Sequence, residues 1–340
     1  MNKNEKRSVI VFGGSGFIGQ HFAVHLIEHA GFSLVILADI VEPAIGKTTE
    51  LFDHLYASQK IQYCYCDVRN KITLHFSEKP AIIANFAAVH REPGHISSEY
   101  YDTNLPGAEN ICNWANKIGC SNMIFTSSIA TYGPTELPMT EASVPHPITA
   151  YGGSKLAAEY IHRVWHAKDA ARKLVIVRPG VVYGPGEGGN VTRLISAYLS
   201  GYFFYMGNKN TRKAGVYVKE LCHAMLWVFD QKCDDVALFN MSMNPGPTIE
   251  EYLLCIREAS GRERYVPSIP FPLLHLASRI IASVCRSVGI EQPINPIRLK
   301  KLTKSNNIVP QFLEMKKYEY QYSFVESMKD WMSSKDSEWR

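Results

Sequence analysis

No stretch of this 340-residue chain is apolar for long enough to cross a bilayer, and residues 1–7 are polar and run straight into a strand-like segment. Neither a membrane span nor a signal-peptide core is therefore expected, and the expected location is cytoplasmic. The eight cysteines never fall at Cys-x-x-Cys spacing, and no histidine stands at zinc-site distance from them. That excludes the common zinc and dithiol motifs, so no metal is expected and the thiols read as buried groups in a reducing compartment. His21, His25 and His29 recur four apart, but a solvated face of the first helix explains them. A net charge of +4 is too small for the electrostatic footprint of a nucleic-acid binder, so no such partner is expected. Internal repeats and low-complexity segments are also missing.

What is present is enough apolar residue, 46%, to build a large core. Short apolar runs at 8–12, 33–38, 61–66, 81–86, 123–126 and 174–177 alternate with segments of helical periodicity at 17–29, 105–117 and 151–168. Buried strands separated by helices mean a parallel sheet with helices on both faces. After Arg178 the rhythm breaks into a stretch rich in Gly and Pro, followed by shorter helices. The expected division is a dinucleotide-binding domain over 1–180 and a smaller, mainly substrate-binding lobe over 181–340 that can return strands to the sheet.

The turn after the first strand reads Gly13-Gly14-Ser15-Gly16-Phe17-Ile18-Gly19. Gly13 permits a tight turn, Gly16 lets a pyrophosphate approach the backbone, and Gly19 lets the helix pack closely. The free N–H groups at the helix start, from Phe17 and Ile18 onward, face the phosphates. Asp39 ends the second strand, where a carboxylate bonds both ribose hydroxyls and repels a 2′-phosphate, so NAD is expected over NADP. Asp67 and Val68, after the third strand, are placed to touch the adenine, and Ala87 and Ala88, after the fourth, are small residues beside a ribose. The fold class is thus α/β, a Rossmann-type doubly wound parallel sheet with a smaller C-terminal lobe.

Tyr151 and Lys155 are four apart at the start of a helix and share one face. An ammonium beside a phenol lowers the phenol's pKa and makes it a general base for a substrate hydroxyl. Thr126-Ser127-Ser128 closes a strand upstream, where a hydroxyl can bridge that base and the substrate. In this order, Gly13 to Gly19, Asp39, Ala87-Ala88, Ser128 with Tyr132-Gly133, Tyr151/Lys155 and Arg178-Pro179 through Tyr183-Gly184-Pro185 resemble the extended short-chain dehydrogenase/reductases over nearly the whole chain. The resemblance implies a tightly held NAD(P) contacted by Tyr151, Lys155 and Pro179 among others. It also implies a catalytic Ser128–Tyr151–Lys155 set, with Ser128 rather than Ser127 counted back from Tyr132-Gly133, and usually a nucleotide-sugar substrate.

Within that family an absence discriminates. Sugar 4,6-dehydratases carry an Asp-Glu pair just after the catalytic hydroxyl and related decarboxylases a Glu; here the residues are Ile129-Ala130-Thr131. Simple redox remains, and NAD suits an epimerase that recycles its own hydride. His90-Arg91, Tyr100-Tyr101-Asp102 with Asn104, Gly189-Asn190-Val191, Lys213 before Tyr217-Val218 and residues 270–273 resemble the bacterial undecaprenyl-diphospho-N-acetylglucosamine 4-epimerases of O-antigen pathways. Val181 replaces an Asn, and Lys213 an Arg, of the usual UDP-sugar epimerases. The expected function is an NAD-dependent 4-epimerase of a diphosphate-linked N-acetylhexosamine, on UDP or undecaprenyl diphosphate, in cell-surface polysaccharide synthesis. His90, Asn190, Arg212 and Lys213 are the expected substrate contacts. An NAD(P)H-dependent 4-ketoreductase and a non-catalytic dinucleotide sensor are the alternatives.

Residues 270–289 are apolar with interspersed arginines and a basic stretch follows, which fits either a lobe helix or a helix lying on the inner face of an anionic membrane. By the resemblance, helices 105–117 and 151–168, with Leu156, Ile161 and Trp165 on their apolar faces, pair across a twofold axis into a homodimer.

Overall fold

A computed structural model describes residues 7–91, 94–206, 208–232, 236–270 and 304–340. Seven strands form one all-parallel sheet in the order β3-β2-β1-β4-β5-β6-β7: β1 Ser8–Phe12, β2 Leu34–Asp39, β3 Ile61–Tyr65, β4 Ile82–Asn85, β5 Asn122–Thr126, β6 Lys173–Pro179 and β7 Ala237–Met241. The order reverses at β1, which lies between β2 and β4, so a crevice opens at the carboxyl ends of these strands. The last strand comes from well beyond residue 180 and pairs Met241 with Pro179.

Both sheet faces are covered, and this is why the strands read as unbroken apolar runs rather than alternating ones. Val9 and Val11 point into one core with Phe22 and Leu26 of α1 (Phe17–His29) and with α6 (Val218–Asp230). Ile10 and Phe12 point into the other, with Ile111, Trp114 and Ala115 of α3 (Ser97–Ile118) and Ala158 and Trp165 of α4 (Ala150–Ala167). Helix α2 (Glu50–Ala57) is capped by Thr49, whose side chain accepts the Phe52 N–H, a signal the periodicity reading passed over. Helix α3 begins eight residues before the expected 105, because Pro106 is accommodated inside it.

Two expectations are corrected. His21 does not lie on a solvated face: it is buried with Nε2 2.9 Å from the Pro185 carbonyl, and burial lowers its pKa to about 4. His25 stands 4.9 Å from His29 and 6.0 Å from His223 of α6, ring to ring, so this face of α1 packs on α6. Trp165 is buried in the core under α4 and Ile161 packs against it. The outward apolar side chains of this helix pair are instead Tyr160 and Val164 on α4 and Tyr101 on α3.

The thiols Cys66, Cys112, Cys120, Cys222 and Cys255 are buried and unpaired, and burial pushes Cys112 up to about 12. No helix among the described residues is long and apolar enough to cross a membrane. The apolar stretch and basic run expected near a membrane fall, from 271 to 303, outside the described residues.

Candidate active site

The glycine turn, Asp39, Asp67-Val68 and Ala87-Ala88 stand at or just past the carboxyl ends of β1, β2, β3 and β4. Gly13 turns the chain out of β1 with φ +73°, and a Cβ there would meet the Ala87 backbone N at 2.6 Å. The turn and the wall after β4 thus touch, and only glycine allows it. Gly19 clears space too, but against the Gly14 carbonyl of the turn itself (2.5 Å from a built Cβ) rather than against a strand. Asp39 receives Ser15 N–H at 3.1 Å and Ile40 N–H at 2.7 Å; burial pushes its carboxyl up while these donors oppose the shift. Asp67 is gripped by Arg69 (2.7 Å), which holds its carboxyl below the usual range. Val68 is buried against Gly107 of α3. Asn104 of α3 clamps the wall segment, accepting the Val89 N–H at 2.9 Å and donating to Ser154 Oγ at 2.9 Å.

These residues fit a dinucleotide. Helix α1 has Gly16 at its N-cap, with no side-chain cap and no acid in its first turn, so its N–H groups are left for an external anion. A Cβ on Gly16 would meet nothing nearer than the Gly13 carbonyl at 3.1 Å, and the buried Ser15 Oγ has no protein partner.

The catalytic candidates come from β5 and α4. Ser127 and Ser128 are adjacent, yet their surroundings separate them. Ser127 Oγ donates to Glu159 Oε1, and Glu159 is locked to Arg178 by two charge-assisted bonds (Nη2 to Oε2 2.6 Å, Nε to Oε1 2.8 Å) in a fully buried pair. Arg178 also donates to the Tyr132 hydroxyl (2.7 Å), which donates to Asn240 (2.9 Å). Ser128 lies outside this network: its Oγ accepts the Ala130 N–H at 3.1 Å as cap of the short 3-10 turn Ile129–Thr131, leaving its own proton for another oxygen.

Helix α4, capped by Thr149, carries Tyr151 and Lys155. Its opening glycines are a signal the sequence reading left unused. A Cβ on Gly152 would stand 2.3 Å from the Ala130 carbonyl, and one on Gly153 2.5 Å from the Tyr101 hydroxyl. The helix start is thereby pressed onto the turn that holds Ser128. Lys155 is buried, and desolvation lowers its pKa to about 7 against the opposing field of Glu159.

The expected substrate residues are dispersed. His90 is exposed, its Nδ1 3.5 Å from the Ala88 carbonyl. Asn190 opens α5 (Asn190–Leu199) and accepts from Arg193 at 2.8 Å. Arg212 donates to the Gly246 carbonyl, and Lys213 Nζ to the Lys304 carbonyl at 2.6 Å. Burial lowers the Lys213 ammonium to about 8, with Glu136 opposing.

Comparison with known proteins now decides the family: residues 9–241 match the model described as the NAD dependent epimerase/dehydratase family. The chain belongs to that family. Its cofactor is NAD, as the description of the family states. Among curated relatives, an Escherichia coli O157:H7 protein named N-acetyl-α-D-glucosaminyl-diphospho-ditrans,octacis-undecaprenol 4-epimerase is 28% identical over 216 residues, 63% of this chain and 65% of that one. UDP-glucose 4-epimerase 1 of Oryza sativa subsp. japonica is 31% identical over 181 residues, 51% of this chain and 50% of that one. The chain thus spans less than two thirds of the length of either relative. A solved UDP-glucuronic acid 4-epimerase from Bacillus cereus in complex with NAD shares the fold, with TM-score 0.74 and 17% identity over 98% of this chain and 100% of that one.

Proposed function

We propose that this family member is a 4-epimerase of a diphosphate-linked N-acetylhexosamine, acting in cell-surface polysaccharide synthesis of the O-antigen kind. The observation that carries the reading is the turn after Ser128. Ile129–Thr131 places no carboxylate beside the catalytic hydroxyl, so the second acid–base pair that elimination or decarboxylation needs is missing from it. The family's NAD supplies a two-electron acceptor and donor for one sugar carbon, so the overall reaction consumes no external reductant.

Tyr151 takes the proton of the C4 hydroxyl as that carbon is oxidised and returns it when the carbon is reduced. Ser128 donates its remaining proton to the same sugar oxygen, and the Lys155 charge favours the phenolate. Gly13, Gly16, Gly19, Asp39, Asp67, Val68, Ala87, Ala88 and Pro179 form the dinucleotide wall. The 4-keto sugar must turn without leaving, which requires an anchor remote from C4. Lys213, Arg212 and Asn190, in the smaller lobe from residue 181, are assigned to hold the diphosphate, with His90 at the sugar end. The undecaprenol-linked name of the Escherichia coli relative favours a lipid carrier, which would bring the protein to the inner face of the membrane. Exposed Tyr101, Tyr160 and Val164 on α3 and α4 support a homodimer joined through these helices.

The test is turnover of UDP-linked and undecaprenyl-diphospho-linked N-acetylglucosamine with no added reduced cofactor. Interconversion with the galacto epimer is expected. A requirement for stoichiometric NADH or NADPH would make the protein a ketoreductase instead. Tight NAD binding with no turnover of either sugar would make it a sensor.

A further inference from the structure

A buried ammonium must be held somewhere. Among the described residues no carboxylate lies within ion-pairing distance of Lys155 Nζ; Glu159, one turn on, is spent on Arg178 and Ser127. The contact the structure gives the ammonium is the face of Phe125, with Nζ 4.5 Å from the ring centroid. His162, two turns after Lys155 on α4, stacks on the same ring, with centroids 4.1 Å apart and planes 17° from parallel. His162 is fully buried and held at both nitrogens. Nδ1 lies 2.7 Å from the Ala158 carbonyl and must carry the proton; Nε2 lies 3.1 Å from Asn85 Nδ2 and must accept. The ring is therefore neutral, and burial keeps it so, lowering its pKa to about 4. A charged imidazole here would set a second cation against the ring that faces Lys155.

We propose that Phe125 and His162, pinned by Asn85, form a stacked platform that positions the Lys155 ammonium and sustains its charge in the buried site. This rests on the reading of Lys155 as the group that tunes Tyr151. Phe125 offers the negative face of its quadrupole to the cation, an interaction that strengthens when desolvated. His162 fixes the tilt of that ring through two hydrogen bonds that an aliphatic residue could not make. Both are positioning residues that act through Lys155. The other titratable groups in the field of Lys155 are Glu159, whose carboxylate raises its pKa, and His90.

The experiment observes Lys155 directly. In protein labelled with 15N-lysine and studied as purified, the Nζ resonance is assigned with Lys155→Met and titrated by NMR. Phe125→Leu is expected to lower the Lys155 midpoint by about one pH unit, the size of a desolvated cation–π contact. His162→Ala, which frees the ring, is expected to lower it by about half as much, and His162→Phe, which restores the stack, to return it toward the native value. The low-pH limb of the pH–rate profile, where Tyr151 is protonated, should move up in the variants in which Lys155 loses charge. Native midpoints in both Phe125→Leu and His162→Ala would overturn the platform. Because the resonance is read without turnover, absence of epimerase activity would count against the proposed function and leave this measurement standing.

Discussion

Replacing Lys155 by Met should make the protein more stable at neutral pH while destroying its activity. The ammonium is buried and its pKa is lowered from 10.5 to about 7, with desolvation as the leading cause. In the unfolded chain the amine keeps its proton up to about pH 10.4. Between the two values the unfolded state binds more protons than the folded one, so stability rises with pH across this window. The cost of burying the charge is therefore full below pH 7, shrinks as pH climbs, and is gone above 10.5. At about 1.4 kcal/mol per pH unit, the full gap is about 5 kcal/mol. Loss of the contact with Phe125 on substitution reduces the net gain to about 2–4 kcal/mol at pH 7. Methionine fills nearly the same volume and adds no polar group. Urea unfolding of NAD-free native and Lys155→Met protein at pH 7, 8, 9 and 10 measures the difference, which should narrow steadily. In thermal melts it should be about 3–6 °C at pH 7, given the unfolding entropy of a chain this long. A variant no more stable than the native protein at pH 7, or one whose advantage is the same at pH 7 and pH 10, would refute the reasoning.

Tyr151→Phe removes one hydroxyl and should cut turnover at least about 100-fold, with NAD binding intact; near-normal turnover would sink the assigned base. Asp39→Ala combined with Ile40→Arg should shift calorimetric preference from NAD toward NADP, and a native protein that already prefers NADP would contradict the role of Asp39. Gly152→Ala would bring a Cβ to within 2.3 Å of the Ala130 carbonyl, so helix and turn must part. A loss of about 1–3 kcal/mol in stability is expected together with reduced turnover, and native values of both would disprove the tight packing.

The fold was legible in the sequence because a parallel sheet covered on both faces writes its strands as apolar runs, as in Val9–Phe12 and Leu174–Val177. Chemistry-bearing positions were legible where a backbone demand and a side-chain demand coincide, as at Gly13 and Asp39. Less legible was anything decided by which way a helix faces. Trp165 has the periodicity of an interface residue but packs inward, and of the three histidines at polar-face spacing His21 is buried against the Pro185 carbonyl and His25 packs on His223 of α6. Helix periodicity defines a stripe and not its partner, so such residues are placed only when the neighbouring helix is. The platform under Lys155 was invisible for a related reason: Phe125 and His162 come from β5 and α4, 37 positions apart (162 − 125), and neither carries a motif.

The choice between two neighbouring serines shows how a buried network settles what spacing alone leaves to counting. Ser127 and Ser128 follow the same strand and have the same hydroxyl. Ser127 gives its proton to Glu159, whose two oxygens are otherwise saturated by Arg178, and its surroundings exclude solvent. Ser127→Ala removes one acceptor interaction from a carboxylate that keeps its two guanidinium bonds, so the expected cost is about 1–2 kcal/mol in stability with little change in turnover. Ser128 is half-buried, and among the described residues its hydroxyl meets one partner, the backbone N–H of Ala130, in capping a single turn. Ser128→Ala should leave stability within about 1 kcal/mol, the value of one cap. It should lower turnover by about 10- to 100-fold, because the donor to the reacting oxygen is gone. Urea midpoints and initial rates of the two variants read the split directly. If Ser127→Ala is the variant that loses turnover while Ser128→Ala loses only stability, the hydroxyl has been assigned to the wrong residue, and the Glu159–Arg178 pair must then be read as part of the chemistry rather than as its frame.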